Sequence, residues 1–359
     1  MTDEPTVNNP SSSAKRPQLS ARKKLLFSLI PLIGIVAVTE AAFRLYPNDD
    51  HGLAVGGLTE PDKDLIWKLK PRPYGILATN ELDFRDGPYQ ADADIKILLL
   101  GDSVAWADGI CDQKFGFAAV LETQLAEADP MRTYEIINSG VPGYSTFQQA
   151  RYLARDGFSL DPDMILLQFC LNDVTSRYRN VMAYGGDNVF MGVDTRKSIP
   201  GLMGFLVRHS CAVEGICRLI QNRGRKEEAY RVEKLTVDQL TPQLEQAWTL
   251  VEEELSEIQQ LAKAHDVPLL MMIAPYRFQV EDPDPRSRSQ PQNRLLAWAA
   301  ANGVTTVDLL PGFVNAPEGQ ELFNPNDQNH FSRDGHVCAA ELLSQPTRDL
   351  LSAHVFPKD

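Results

Sequence analysis

The chain has 359 residues, 43% of them hydrophobic, and a formal net charge of −13 at pH 7. This length allows one large α/β core plus additional segments and does not require several full domains. Because proteins bind nucleic acid through clustered Lys and Arg, the acidic balance disfavours nucleic acid as a partner.

The N-terminal residues predict a membrane anchor. Residues 1–24 are polar and end in a basic cluster, so we interpret them as a disordered cytoplasmic tail. The segment at 25–46 is apolar as far as Phe43, with Glu40 as its only charge before that point, and it is near the lower length limit for a spanning helix. The positive-inside rule then places the rest of the chain outside the cytoplasm, in the periplasm. A cleaved signal peptide is the alternative, although residues 39–41 match a small-residue cleavage site poorly.

The five cysteines show neither a C-x-x-C pair nor Cys/His spacing of the zinc type. We therefore expect no structural metal and no cofactor. Cys211 and Cys217 are close in sequence, and a disulfide or two separate thiols would explain them equally well.

The remaining chain has the pattern of a parallel α/β domain. Residues 47–94 are rich in Pro, Gly and Asp, and we interpret them as a linker and irregular lead-in. Short apolar runs then alternate with helix-like segments, the runs at 95–100, 134–138, 164–170, 268–274 and 304–310 and the helices at 115–128, 146–157, 244–266 and 291–303. This alternation predicts a three-layer α/β/α sandwich with a five-stranded parallel sheet, of the flavodoxin-like type, over 95–359. The segment at about 175–243 breaks the pattern and predicts an insertion beside the ligand-binding edge.

Polar motifs follow the predicted strands or lie in a loop that faces the same edge of the sheet, where ligands bind in open α/β sheets. They are Gly101-Asp102-Ser103, Asn138-Ser139-Gly140, Leu171-Asn172-Asp173 and Asp327-Gln328-Asn329-His330. Gly-Asp-Ser alone is also ordinary turn and N-cap sequence, so the first motif gains weight only from the other three. The chain contains no phosphate loop, dinucleotide fingerprint, zincin motif or G-x-S-x-G elbow.

Together these residues can perform nucleophilic catalysis. A serine attacks an ester when a base removes its proton, a carboxylate orients that base, and donors receive the oxyanion. Asp327 and His330 could supply the carboxylate and the base for Ser103. The backbone N–H groups of Ser103 and Gly140 and the side-chain amide of Asn172 could form the oxyanion hole.

The blocks LLLGDS, INSGVPG, FCLND and DQNHFSRDGH resemble those of SGNH or GDSL-type hydrolases in type and order, over about 95–350. The resemblance implies that Ser103 is the nucleophile and first oxyanion donor, with Gly140 and Asn172 as second and third. It also implies that Asp327 and His330 are the acid and base of the triad. The N-terminal anchor is similar to that of membrane-anchored bacterial members.

Two positions depart from the family pattern, and one further residue is a candidate for substrate binding. Val104 replaces a Leu, and Cys170 replaces a Gly that permits close backbone approach beside Asn172. Arg277 follows the apolar run at 268–274, and it could bind a substrate carboxylate or phosphate or form a surface ion pair.

We therefore expect a serine ester hydrolase of the esterase, lipase or acetylesterase kind, acting on a small-molecule or glycan ester. One alternative is an O-acyltransferase that modifies an extracellular polysaccharide, since the same triad serves transfer when a sugar hydroxyl replaces water. The other is a catalytically inactive module that binds a glycan or lipid. The sequence does not separate hydrolysis from transfer.

Overall fold

A computed structural model of the chain describes residues 58–175 except 73 and 76, 232–284 except 238, 288–355, and scattered positions between 31 and 41. The predicted tail at 1–24, most of the predicted anchor at 25–46 and most of the predicted insertion at 175–243, with Cys211 and Cys217, lie outside these residues. In the described part of the chain, no helix combines the length and the apolar character needed to cross a bilayer.

A five-stranded parallel sheet forms the centre of the domain. The described strands are β1 (Thr59–Asp62), β2 (Ile66–Leu69), β3 (Ile95–Leu100), β4 (Tyr134–Asn138), β5 (Met164–Cys170), β6 (Leu269–Ala274) and β7 (Thr305–Asp308). Strands β3 to β7 form the parallel sheet in the order β4-β3-β5-β6-β7. Every residue of the two strands β5 and β6 is buried, as expected for a sheet covered on both faces.

Helices flank this sheet. They are α1 (Phe117–Ala128), α2 (Thr146–Arg155), α3 (Pro242–Ala264), α4 (Arg277–Val280), α5 (Gln290–Asn302), α6 (Leu310–Val314) and α7 (Arg333–His354). Short 3-10 helices occupy Gln113–Phe115, Gly157–Leu160 and Lys234–Thr236. Helix α1 packs with α7, and α2 packs with α3. The expected α/β/α fold is confirmed.

Strand β4 lies at an edge of the sheet, and acidic side chains cover its outer backbone. The Glu122 carboxylate accepts from Ile136 N at 2.7 Å, and the Asp86 carboxylate accepts from Asn138 N at 2.9 Å. Burial raises the pKa of Asp86 to about 7, against the lowering effect of this hydrogen bond. Two N–H groups that would face outward from the edge strand are therefore satisfied by side chains.

The lead-in before β3 contains more regular structure than the sequence indicated. Strands β1 and β2 pair as an antiparallel hairpin. The Trp67 ring meets the Tyr144 ring edge-on at 5.7 Å, and the Tyr144 hydroxyl donates to Trp67 O at 2.8 Å. These contacts attach the lead-in to the segment between β4 and α2, so it is part of the folded domain.

Candidate active site

The first half of the site is the turn that follows β3. Asp102 N donates to Gln168 Oε1 of β5 at 2.9 Å, and the Asp102 carboxylate accepts from Val104 N at 2.8 Å. The chain then turns back, with Asp108 N donating to Ser103 O at 3.0 Å. This turn places Ser103, which is 8% exposed, at the carboxyl end of the sheet.

A buried arginine from the lead-in holds this turn in place. Arg85 is 2% exposed, and its guanidinium donates to Trp106 O at 2.7 Å, to Ala107 O at 3.1 Å and to Ile110 O. It also lies over the Trp106 ring, 5.2 Å from the centroid. No motif in the sequence indicates this role of Arg85, because a side chain that binds backbone carbonyls belongs to no catalytic motif.

Gly140 packs directly against the same turn. A Cβ at this position would lie 2.8 Å from Trp106 N and 2.8 Å from the Ala105 Cβ, so any other residue would push the two segments apart. The Asn138 side chain reinforces the contact by donating to Ala105 O at 2.8 Å. Close backbone approach is the physical reason for a glycine here.

The second half of the site is the loop between α6 and α7. The Asp327 Oδ1 atom accepts from Asn329 N and from His330 N, both at 3.1 Å, which folds the loop back on its own carboxylate. An isolated bridge between Phe323 and Phe331 closes the base of the loop. The imidazole is thereby fixed two residues before the Ser332 cap of α7.

The structure brings Ser103, His330 and Asp327 together. His330 Nε2 lies 2.8 Å from Ser103 Oγ, and His330 Nδ1 lies 2.8 Å from Asp327 Oδ2. In the tautomer with the proton on Nδ1, the imidazole donates to Asp327 and accepts from the serine hydroxyl. This continuous path allows a proton to leave Ser103 as it attacks.

Charges around the imidazole set its pKa. Burial alone would lower the pKa of His330, but the hydrogen bond and charge of Asp327, with the charges of Asp108 and Asp102, raise it to about 9. Burial alone would raise the pKa of Asp327. The hydrogen bond to His330 and the charge of that imidazole instead hold the pKa well below its usual range. An ionised Asp327 therefore favours the imidazolium that forms when Ser103 gives up its proton.

The three predicted oxyanion donors belong to, or contact, the turn that carries Ser103, but they differ in their present hydrogen bonds. Gly140 N donates to Asn138 Oδ1 at 3.0 Å, so a substrate oxygen would have to share or replace that acceptor. Asn172 Nδ2 donates to Asp102 Oδ2 at 3.0 Å, which leaves its second amide hydrogen for another acceptor. For Ser103 N, the described residues include no acceptor that competes with a substrate.

The Cys170 position is compatible with this arrangement. Cys170 is buried at the end of β5, where it pairs with Ala274 of β6, and burial raises the pKa of its thiol well above the ordinary value. The neutral thiol therefore fills space in the core, while Asn172 still reaches the turn that carries Ser103.

Arg277 was predicted to bind a substrate anion, but in the structure its guanidinium contacts protein atoms. Its guanidinium donates to Asp327 O at 2.8 Å, Asn324 O at 2.9 Å and Phe323 O at 3.2 Å, and it pairs with Glu281 at 3.0 Å. All three of its nitrogens thus have protein partners. The contacts support a role in holding the His330 loop rather than in binding a substrate anion.

The chain is similar to one known protein family and to several solved structures. Residues 99–337 match the model of the GDSL-like lipase/acylhydrolase family. Similar solved structures include TesA, at 17% identity with a TM-score of 0.44 over 71% of this chain and 99% of that one. Another is an acetyl xylan esterase, at 16% identity and a TM-score of 0.42 over 70% and 99% of the two chains. A catalytic mutant of an acetylxylan esterase from Geobacillus stearothermophilus has 15% identity and a TM-score of 0.43 over 70% and 94%. No curated protein matches the chain.

Proposed function

The chain belongs to the GDSL-like lipase/acylhydrolase family and is a serine esterase of the SGNH type, and we propose that it works through an acyl intermediate on Ser103. The observation that carries this proposal is the pair of 2.8 Å contacts that link Ser103 to His330 and His330 to Asp327. This geometry supplies the nucleophile, the base and the orienting carboxylate that acyl transfer requires.

In the proposed reaction, Ser103 Oγ attacks the ester carbonyl while His330 Nε2 accepts the hydroxyl proton. The tetrahedral oxyanion is received by Ser103 N, Gly140 N and the Asn172 amide. When the intermediate collapses, the bond between the acyl carbon and the alcohol oxygen breaks, and His330 returns its proton to that oxygen. Water activated by His330 then releases the acid from Ser103.

The test is active-site labelling combined with turnover. The full chain is incubated with a fluorophosphonate probe and, separately, with p-nitrophenyl acetate. We expect labelling and hydrolysis with the native chain, and neither with Ser103→Ala. Labelling at full strength in the Ser103→Ala variant would remove this residue as the nucleophile.

The acyl acceptor is tested in the same system. Incubation with an activated acetyl ester and oligosaccharides distinguishes two fates of the acyl group. Free acetate alone agrees with the proposed hydrolysis. An acetylated sugar would identify the enzyme as an O-acyltransferase instead.

We also propose that the domain works outside the cytoplasm, tethered by the apolar segment at 25–46. Support comes from the sequence, in which a basic cluster precedes this segment. Alkaline phosphatase fused after residue 359 should be active in a bacterial host, because that reporter folds only outside the cytoplasm. An inactive fusion of full length would contradict this location.

A further inference from the structure

A second carboxylate, Asp108, lies beside the proton-carrying nitrogen of the site. Its Oδ2 atom is 3.8 Å from His330 Nε2, the atom that also faces Ser103 Oγ. Its side chain is 16% exposed, and its Oδ1 atom accepts from Gly109 N at 3.0 Å. Among the residues that the structure describes, none donates a hydrogen bond to Oδ2.

The backbone of Asp108 is fixed between the two halves of the site. Its N–H donates to Ser103 O at 3.0 Å, and its carbonyl accepts from Asn324 Nδ2 at 3.0 Å. Gly109 makes this approach possible, because it has a φ of +83° and a Cβ there would lie 2.3 Å from Asn324 Nδ2. The carboxylate is therefore held in place before any substrate arrives.

The position of Asp108 determines what it can contact. His330 Nε2 must return its proton to the alcohol oxygen of the ester, so a group within 4 Å of Nε2 borders the alcohol portion of the substrate. At 3.8 Å, Oδ2 is too far away for a hydrogen bond to Nε2, and it remains an acceptor. A hydroxyl on the carbon next to the esterified carbon is the nearest donor that an alcohol portion can offer.

The surrounding charges favour the same class of substrate. Asp102 and Asp327 add negative charge near His330, while Arg85 lies buried behind the turn with its guanidinium bound to backbone carbonyls. Among the described residues, no Lys or Arg forms an ion pair with Asp108, so an anionic alcohol portion would meet the negative charge of this carboxylate.

We propose that Asp108 is a specificity-determining residue that selects esters of polyhydroxylated alcohols, such as sugars or glycerol, by accepting a hydrogen bond from the neighbouring hydroxyl. The inference rests on the proposed ester hydrolysis. Asp108 forms no covalent bond in it: the acyl carbon passes from the alcohol oxygen to Ser103 Oγ, and the proton passes through His330.

The experiment compares matched acetyl esters with the purified full chain. Ethylene glycol monoacetate carries the neighbouring hydroxyl, its methyl ether lacks the donor, and acetylglycolate carries a carboxylate at that place. For the native chain we expect kcat/KM to be about tenfold or more higher for the monoacetate than for its ether, since hydrogen bonds to charged groups are the stronger ones. Acetylglycolate should be the poorest substrate.

Variants test whether Asp108 causes the preference for the ester that carries the neighbouring hydroxyl. Asp108→Ala should bring the ratio between the monoacetate and its ether close to one, and Asp108→Asn should give an intermediate ratio. Asp112→Asn, which removes a nearby carboxylate paired with Lys114, should leave the native ratio unchanged. The inference about Asp108 would be wrong if the native chain turned over the monoacetate and its ether with equal kcat/KM, or if Asp108→Ala kept the native ratio. Either result would leave the proposed ester hydrolysis intact. Absence of turnover for every ester, together with absent labelling of Ser103, would overturn the proposed function and this inference with it.

Discussion

Two arginines, Arg85 and Arg277, hold the two halves of the site, and they do so in different environments. Each guanidinium donates to three backbone carbonyls and lies over an aromatic ring. Arg85 is buried behind the Ser103 turn, whereas Arg277 is partly exposed and also pairs with Glu281. Water can replace lost hydrogen bonds only at the exposed site. We therefore expect Arg85 to contribute mainly to the free energy of unfolding. Arg277 should contribute mainly to catalysis, by holding His330 in position.

The largest effect is expected for His330, the proposed base. His330→Ala should reduce kcat for p-nitrophenyl acetate by at least about 10⁴-fold, because the serine then has no proton acceptor. The melting temperature should fall as well, because Asp327 loses the imidazole whose pairing lowers its pKa, although Arg277 and the Asp327 contacts with the backbone still hold the loop. Native turnover from a folded His330→Ala variant would exclude His330 as the base.

Asn172→Ala tests the nucleophile half without removing the triad. It should lower kcat by roughly 10² to 10³-fold if its amide stabilises the oxyanion. The buried Asp102 carboxylate also loses a donor at 3.0 Å, so thermal unfolding is measured in parallel. Native turnover from this variant would exclude Asn172 from the oxyanion hole.

Arg85→Met should lower the free energy of unfolding by about 2 to 4 kcal/mol, because the buried carbonyls of Trp106 and Ala107 and the partly buried carbonyl of Ile110 lose their donor. Denaturant unfolding measures this change. Arg132→Met is the matched control, since Arg132 forms an exposed pair with Asp129 that is expected to contribute about 0 to 1 kcal/mol. Equal losses from the two variants would contradict the distinction between a buried and an exposed arginine.

Arg277→Met should lower kcat by about 10 to 100-fold, because small displacements of a catalytic group are costly. Labelling of Ser103 should slow in proportion, while the unfolding free energy falls less than in Arg85→Met. Glu281→Gln removes only the ion pair and should leave kcat nearly unchanged. If Arg277→Met keeps native kcat, the loop does not depend on this arginine.

The smallest effect is a shift in the pH profile. The imidazole must be neutral to act as base, so kcat/KM should rise with pH through the range above 7, as His330 loses its proton with a pKa of about 9. Asp108→Asn removes one of the charges that raise this pKa and should move the rising limb to lower pH. A rising limb that stays at the same pH would show that Asp108 does not influence the imidazole.

The sequence was most informative about features that depend on residues close together in the chain. The apolar runs at 95–100, 134–138 and 164–170 are strands with those bounds, because buried parallel strands are continuously apolar. The spacing from Asp327 to His330 likewise indicated a local pair. Motifs at strand ends could be brought to one edge by topology alone.

The roles of the residues that hold the site in place could not be predicted in the same way, although Arg277 was noted as a candidate for substrate binding. Arg85, Arg277 and Asp108 act through contacts with backbone atoms or with a distant imidazole, and such contacts leave no periodic or spaced pattern. The hairpin of β1 and β2 was missed because its short strands lie among Pro, Gly and Asp. Tertiary packing, which a single sequence does not display, determines all of these features.

The carboxylates along β4 also bear on self-association. An exposed strand edge is a template on which another chain can pair. Here a sixth strand would have to displace both Glu122 and Asp86 from the N–H groups that they occupy, and would bring its own backbone against acidic side chains. Along β4, the domain is therefore protected against growth into an intermolecular sheet.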